Sequence, residues 1–148
     1  MMVDGLVSQF RVYLPKGGFW AVYIFDTADS LRAWLRSKHI PGGASKHGKT
    51  LGFARALEVV GKNGKFAPLK RGRRGLVAMC LPWCRVGVAS HEWTHAAFYE
   101  FTNHRRKRSV PLKDDEAFAR LQGEMVRRFW LAFQSRFRQN RNHEFVLR

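Results

Sequence analysis

Residues 6–14 (LVSQFRVYL) and 19–26 (FWAVYIFD) are apolar runs rich in β-branched and aromatic side chains, which pack well on a pleated sheet. Between them, Pro15, Lys16, Gly17 and Gly18 supply turn chemistry, so a β-hairpin is expected. The period then changes. Leu31, Trp34 and Leu35 recur at helical spacing between Ala28 and Lys38, and Asp26-Thr27 offers capping oxygens ahead of them. Residues 41–49 (PGGASKHGK) have the composition of a loop. Leu51 to Val60 has an Ala-rich centre that suits a helix as well as a strand; we assign strand. The basic, Gly-rich stretch 61–74 (GKNGKFAPLKRGRR) reads as a mobile excursion. Leu76 to Leu81 is a short apolar run ended by Pro82, which suits a strand.

Two helices complete the pattern. One is expected from about Val86 to Asn103, the other from Asp114-Asp115 to about Gln139, with HRRKR (104–108) and Pro111 between them. With Glu116 at 0° on a helical wheel, Ala119, Gly123, Val126, Trp130, Phe133 and Phe137 fall between about 260° and 340°. Phe118, Leu121, Met125, Phe129 and Ala132 extend the apolar arc from about 140° to 220°, and Arg120, Arg127, Gln134 and Arg138 take the polar face. The order β-β-α-β-β-α-α indicates an α+β domain. Its small, mostly antiparallel sheet would pack against the two long helices. A chain of 148 residues is enough for one such domain, 1–148, and nothing suggests a second.

Chemistry enters at His91-Glu92-Trp93-Thr94-His95, an HExxH motif inside the first long helix. Residues four apart stand on one helix face, so both imidazoles can meet one metal ion. Glu92 lies about 100° around the helix, placed to act as a general base on water without ligating the metal. A catalytic zinc needs a third protein ligand and an open position. The metzincin pattern HExxHxxGxxH is excluded, because Phe98 and Phe101 stand where it requires Gly and His. His104 is a weak candidate beside Arg105 and Arg106. The next helix offers Asp115, Glu116 and Glu124. Glu116 sits at the margin of an apolar arc, one turn from Ala119 and two from Gly123, whose small side chains would let the helices approach closely. Asp115 remains its rival, and Glu124 falls on the polar side.

HEWTHAAFYEF, followed after some twenty residues by DDEAFARLQGEM, resembles the minimal gluzincin-type zinc metallopeptidases, short single-domain proteins that are often phage-encoded. The resemblance covers roughly residues 86–130 and implies a zincin-like fold. By it, His91, His95 and Glu116 bind zinc and Glu92 is the base. It also implies that the strand before the active helix, about Leu76 to Leu81, forms a sheet edge on which an extended peptide pairs. Tyr99 and His104 are the candidates for stabilising an oxyanion. The chain departs from larger gluzincins in lacking a second lobe.

Charge adds a second class of function. Lys and Arg number 27 against 11 acids, a net charge of +16 with a pI of about 11.1. Such a field attracts polyanions. Its clusters are Lys70 to Arg74, His104 to Arg108 and Arg136 to Arg141, with Trp83 and Phe66 nearby in sequence. The alternative expectation is therefore a nucleic-acid- or nucleoprotein-binding protein, for example a phage inhibitor of a host system, with a structural or vestigial zinc site. No apolar run is long enough for a membrane span, and the first ten residues lack the features of a signal peptide. Cys80 and Cys84 cannot form a disulfide framework, which points to a reducing cytoplasm.

Overall fold

The computed structural model describes residues 3–37, 51–55, 58–60, 66–68, 72–101 and 112–148. The N-terminal hairpin forms as its pattern predicts: β1 (Leu6–Tyr13) pairs antiparallel with β2 (Phe19–Phe25). Gly17 and Gly18 take φ of 97° and 80° in the turn, a region costly for residues with a Cβ. In α1 (Ala28–Ser37), the Thr27 hydroxyl accepts the Ser30 amide at 3.1 Å, so Thr27 supplies the cap.

The main sheet has four strands in the order β1-β2-β6-β3, with β3 (Gly52–Arg55) and β6 (Arg73–Cys80). β1–β2 and β3–β6 are antiparallel, but the central β2–β6 pair is parallel. The sheet is therefore mixed, and the domain is α+β. A parallel pair requires a crossover of a dozen or more residues, and the chain between β2 and β6 is long enough for one. The stretch expected as one strand to Val60 divides. Gly52–Arg55 joins the main sheet, and β4 (Glu58–Val60) pairs with β5 (Phe66–Pro68) in a separate ribbon. The expected basic excursion also ends earlier, since Arg73 and Arg74 already belong to β6.

β2 is almost entirely buried because both faces of the sheet are covered. On one face, Phe10, Val12, Trp20, Val22, Ile24, Val77 and Met79 meet α2 (Val86–Phe101) and α3 (Asp115–Arg136). On the other, Phe25, Leu76, Ala78 and Cys80 meet Leu31, Trp34 and Leu35 of α1. Phe129 links three elements: its ring lies 6.0 Å from Phe10, 5.6 Å from Trp93 and 5.7 Å from Phe133.

The long C-terminal helix ends at Arg136, three residues before the expected end. Phe137 is extended and starts β7 (Phe137–Gln139), which pairs with β8 (Phe145–Leu147). The Asn140 side-chain oxygen accepts the amides of Asn142 and Glu144, both at 2.9 Å, and so turns the chain. Phe137 still stacks on Phe133 at 4.6 Å, so its hydrophobic position continues the helical pattern although its backbone does not. Among the described residues, no helix is long and apolar enough to cross a membrane.

Phe129→Ala should lower unfolding free energy by about 3–5 kcal/mol, the usual cost of an emptied aromatic site. The exposed Leu131→Ala should change it by less than about 0.5 kcal/mol. Urea titrations of both variants check this; equal losses would mean that Phe129 is not the keystone of the packing.

Candidate metal centre

Packing sets the rotation of α2. Ala89, Trp93, Ala96 and Ala97 are fully buried, and the helix turns this side to the sheet and α3. His91, Thr94 and His95 consequently face outward, and Glu92 stands at the boundary between the two sides. The imidazoles of His91 and His95 bring their Nε2 atoms to 3.2 Å, with ring planes 83° apart. Two imidazole nitrogens on a tetrahedral zinc, each about 2.0–2.1 Å from the ion, would be about 3.3 Å apart. The pair thus has the spacing of a chelate. Burial and the neighbouring His91 lower the pKa of His95, favouring the neutral ring that a metal requires.

Glu92 is the only charged residue in the buried class among the described residues, with 6% of its surface exposed. Burial pushes its carboxyl from the ordinary 4.5 up to about 7. Its neighbour is Gly52 on β3. A Cβ there would lie 2.9 Å from Glu92 Cγ, 3.0 Å from Oε1 and 3.0 Å from Val88 Cγ1. Glycine therefore lets the strand pass directly over the carboxylate. A glycine inside a strand pattern signals such an approach, yet nothing in local sequence says which carboxylate would lie beneath it.

That strand also corrects the expected substrate edge. Leu76 to Leu81 is not at a sheet edge: β6 lies between β2 and β3, and among the described residues β3 is the edge strand beside α2. Tyr99 is half-buried and stacks on Trp20 at 6.4 Å, while His104 lies outside the described residues.

The carboxylates of α3 are placed differently from the histidines. Glu124 is held by Arg127 at 2.6 Å and Arg128 at 2.7 Å, which keep its carboxyl down at about 2. Glu116 is exposed on the first turn and bonds Arg120 at 3.0 Å, the two side chains being 77% and 79% accessible. An exposed pair of this kind contributes only about 0.5 kcal/mol and does not lock the carboxylate. Asp115 is exposed as well. Ala119 and Gly123 do not meet α2: both are exposed, and a Cβ on Gly123 would touch nothing. The face turned inward instead carries Phe118, Met125 and Phe129, while Gln122 Nε2 lies 3.4 Å from Thr94 Oγ1. Phe118 packs against Phe101, about 9 Å of helix rise beyond His95.

The structure thus brings His91 and His95 together beside Glu92. Among the described residues, no group of three His, Cys, Asp or Glu side chains is assembled to hold a metal ion. No protein-family model, curated protein or solved structure matches the chain.

Because the fold prefers protonated Glu92, that preference stabilises the protein fully below pH about 4.5 and is lost as pH rises through about 7. In metal-free protein, Glu92→Gln should therefore be more stable than wild type by roughly 1–3 kcal/mol at pH 8 and nearly equal to it below pH about 4.5. Denaturant melts at the two pH values measure this. A gain that does not depend on pH would show that desolvation of the carboxylate is not its cause.

Proposed function

We propose that this chain is a zinc-dependent metallopeptidase of zincin-like fold, with His91 and His95 as two metal ligands and Glu92 as general base. The observation that carries the reading is the 3.2 Å approach of the two Nε2 atoms beside a buried carboxylate whose pKa is raised to about 7. A bound zinc would act as a Lewis acid on water and on the substrate carbonyl. Glu92 takes one proton from the attacking water as the new C–O bond forms, and delivers it to the leaving nitrogen as the C–N bond breaks. A proton-transfer group works best with a pKa near the working pH, and burial beside Gly52 moves Glu92 in that direction. The edge strand β3 offers its backbone to an extended peptide by strand addition, which would carry the scissile bond past Glu92.

As third ligand we propose a carboxylate from the first turn of α3 on the motif resemblance, although among the described residues it is not grouped with His91 and His95. Glu116 is the residue implied by the motif resemblance, and its exposed ion pair with Arg120 is readily exchanged for a metal. Asp115 is the rival, standing nearer the inward-facing arc on the helical wheel.

Purified protein should contain about one zinc per chain, lost in the His91→Ala, His95→Ala double variant; elemental analysis reads both. Glu116→Gln should weaken zinc affinity more than Asp115→Asn. A larger loss in Asp115→Asn would transfer the ligand role to that residue, and full zinc in the double-histidine variant would place the metal elsewhere.

Glu92→Gln should keep its zinc and lower peptide hydrolysis by at least about 10²-fold. The assay is a diverse peptide library, with a chelator as the second control. Equal cleavage by both proteins would remove Glu92 from the mechanism.

A further inference from the structure

On the sheet face opposite α2 and α3, the β2 and β6 side chains Phe19, Ala21 and Leu76 are buried, and the exposed side chains Arg11 and Tyr13 stand on β1. Register aligns them with the strands alongside. Tyr13 pairs with Phe19 and Phe19 with Arg73, forming one cross-strand row. The next row runs Arg11, Ala21, Leu76 and Arg55 across all four strands. Side chains in one row share a face, so tyrosine, phenylalanine and arginines alternate over a short distance.

Their contacts hold them as a platform. The Arg11 guanidinium lies 4.2 Å from the centroid of the Phe19 ring, which is only 7% exposed beneath it. The Tyr13 ring is 5.9 Å from Phe19 and 56% exposed, while its backbone oxygen accepts Arg128 Nη1 at 2.8 Å. Arg73 Nη2 donates to the Tyr23 hydroxyl at 2.7 Å, and its buried Nε has no hydrogen-bond partner among the described residues. Arg11 and Arg73 rest on aromatic rings, and neither has a carboxylate partner among the described residues. Elsewhere several acids are engaged: Glu100 with Arg74, Glu124 with Arg127 and Arg128, Glu116 with Arg120, and Asp29 with Arg32.

We propose that the exposed side of β1 on this face, Arg11 and Tyr13, with Arg73 in the same cross-strand row as Tyr13, binds single-stranded nucleic acid. Unpaired bases stack on aromatic rings and on guanidinium planes, and a single strand also presents a phosphate at every step to the arginines. Tyr13 and the outer side of Arg11 receive bases, and Arg73 with Arg11 supplies charge. A protein partner would have to bring enough carboxylate to match these arginines, whereas a nucleic-acid strand carries its charge at each nucleotide. The net charge of +16 favours the same partner at long range. This surface lies across the sheet from His91 and His95, so its occupancy does not depend on metal.

The test is fluorescence anisotropy of the full chain with labelled oligo-dT, oligo-U and a duplex of equal length, over a salt series. Single strands should bind more tightly than the duplex, with or without a chelator, and the two oligonucleotides tell DNA from RNA preference. Tyr13→Ala should weaken binding by about 5- to 100-fold with an unchanged salt slope, the range expected for one lost base stack. Tyr13→Phe should restore it. Arg11→Gln should weaken binding and reduce the salt slope by about one. Arg141→Gln removes the same charge from the exposed C-terminal hairpin and should cost less than about 2-fold. Binding unaffected by Tyr13→Ala, equal losses from Arg11→Gln and Arg141→Gln, or preference for the duplex would each overturn the proposal. Failure to bind either oligonucleotide at low salt would do so too, and would leave the face to a protein partner.

Discussion

The arrangement of the candidate metal centre depends on how Trp93 is buried. Its ring packs against Phe129, which in turn meets Phe10 of the sheet, and Ala89, Ala96 and Ala97 allow α2 to lie close on either side. These contacts leave α2 little freedom to rotate. With that rotation set, His91 and His95 must face outward and Glu92 must lie at the boundary, beside β3. The indole Nε1 is buried with no hydrogen-bond partner among the described residues. Such an orphan donor costs about 1–3 kcal/mol, so packing outweighs polar satisfaction at this position.

Two consequences follow for the chemistry. The histidine pair retains access to solvent, which a metal needs in order to enter. The carboxylate between them along the chain loses its water and is pushed toward neutrality by desolvation alone. Adjacent residues of one motif therefore sit in opposite environments, separated by a turn of about 100° on a single helix. Gly52 maintains this contrast from the other side, because a larger residue would force Glu92 or Val88 to move.

The mixed sheet separates this chemistry from the basic surface. Its parallel central pair, β2 and β6, is buried on both faces, so each face carries its own layer. One layer holds α2 and α3 with the histidine pair. The other holds α1 and the strip of Arg11, Tyr13, Phe19 and Arg73. Only 11 acids are available for 27 basic residues, and several are bound within local ion pairs. The guanidinium groups of Arg11 and Arg73 rest on rings instead of carboxylates, which leaves their charge available to an anion.

Much of the secondary structure was legible in the hydrophobic pattern: the first hairpin, α1, α2, β6 and the start of α3 depend on local periodicity. The HExxH spacing likewise brings two imidazoles together on any helix, because positions four apart share a face. Other features are not local. The α3 pattern contained two adjacent apolar arcs, and contact with Phe10 and Trp93 turned Met125, Phe129 and Phe133 inward, leaving Ala119, Gly123 and Glu116 outside. Phe137 kept the helical hydrophobic position but took an extended backbone, because pairing with Leu147 is decided by the chain reversal at Asn140. Whether β6 or β3 would be the edge strand depended on a parallel crossover, and the burial of Glu92 beneath Gly52 depended on that choice. By itself, the sequence determined which residues could chelate and which could act as a base, since those are properties of side-chain type and helical spacing. Tertiary structure alone decided which of them lost water and which strand lay over them, because desolvation is set by neighbours distant along the chain.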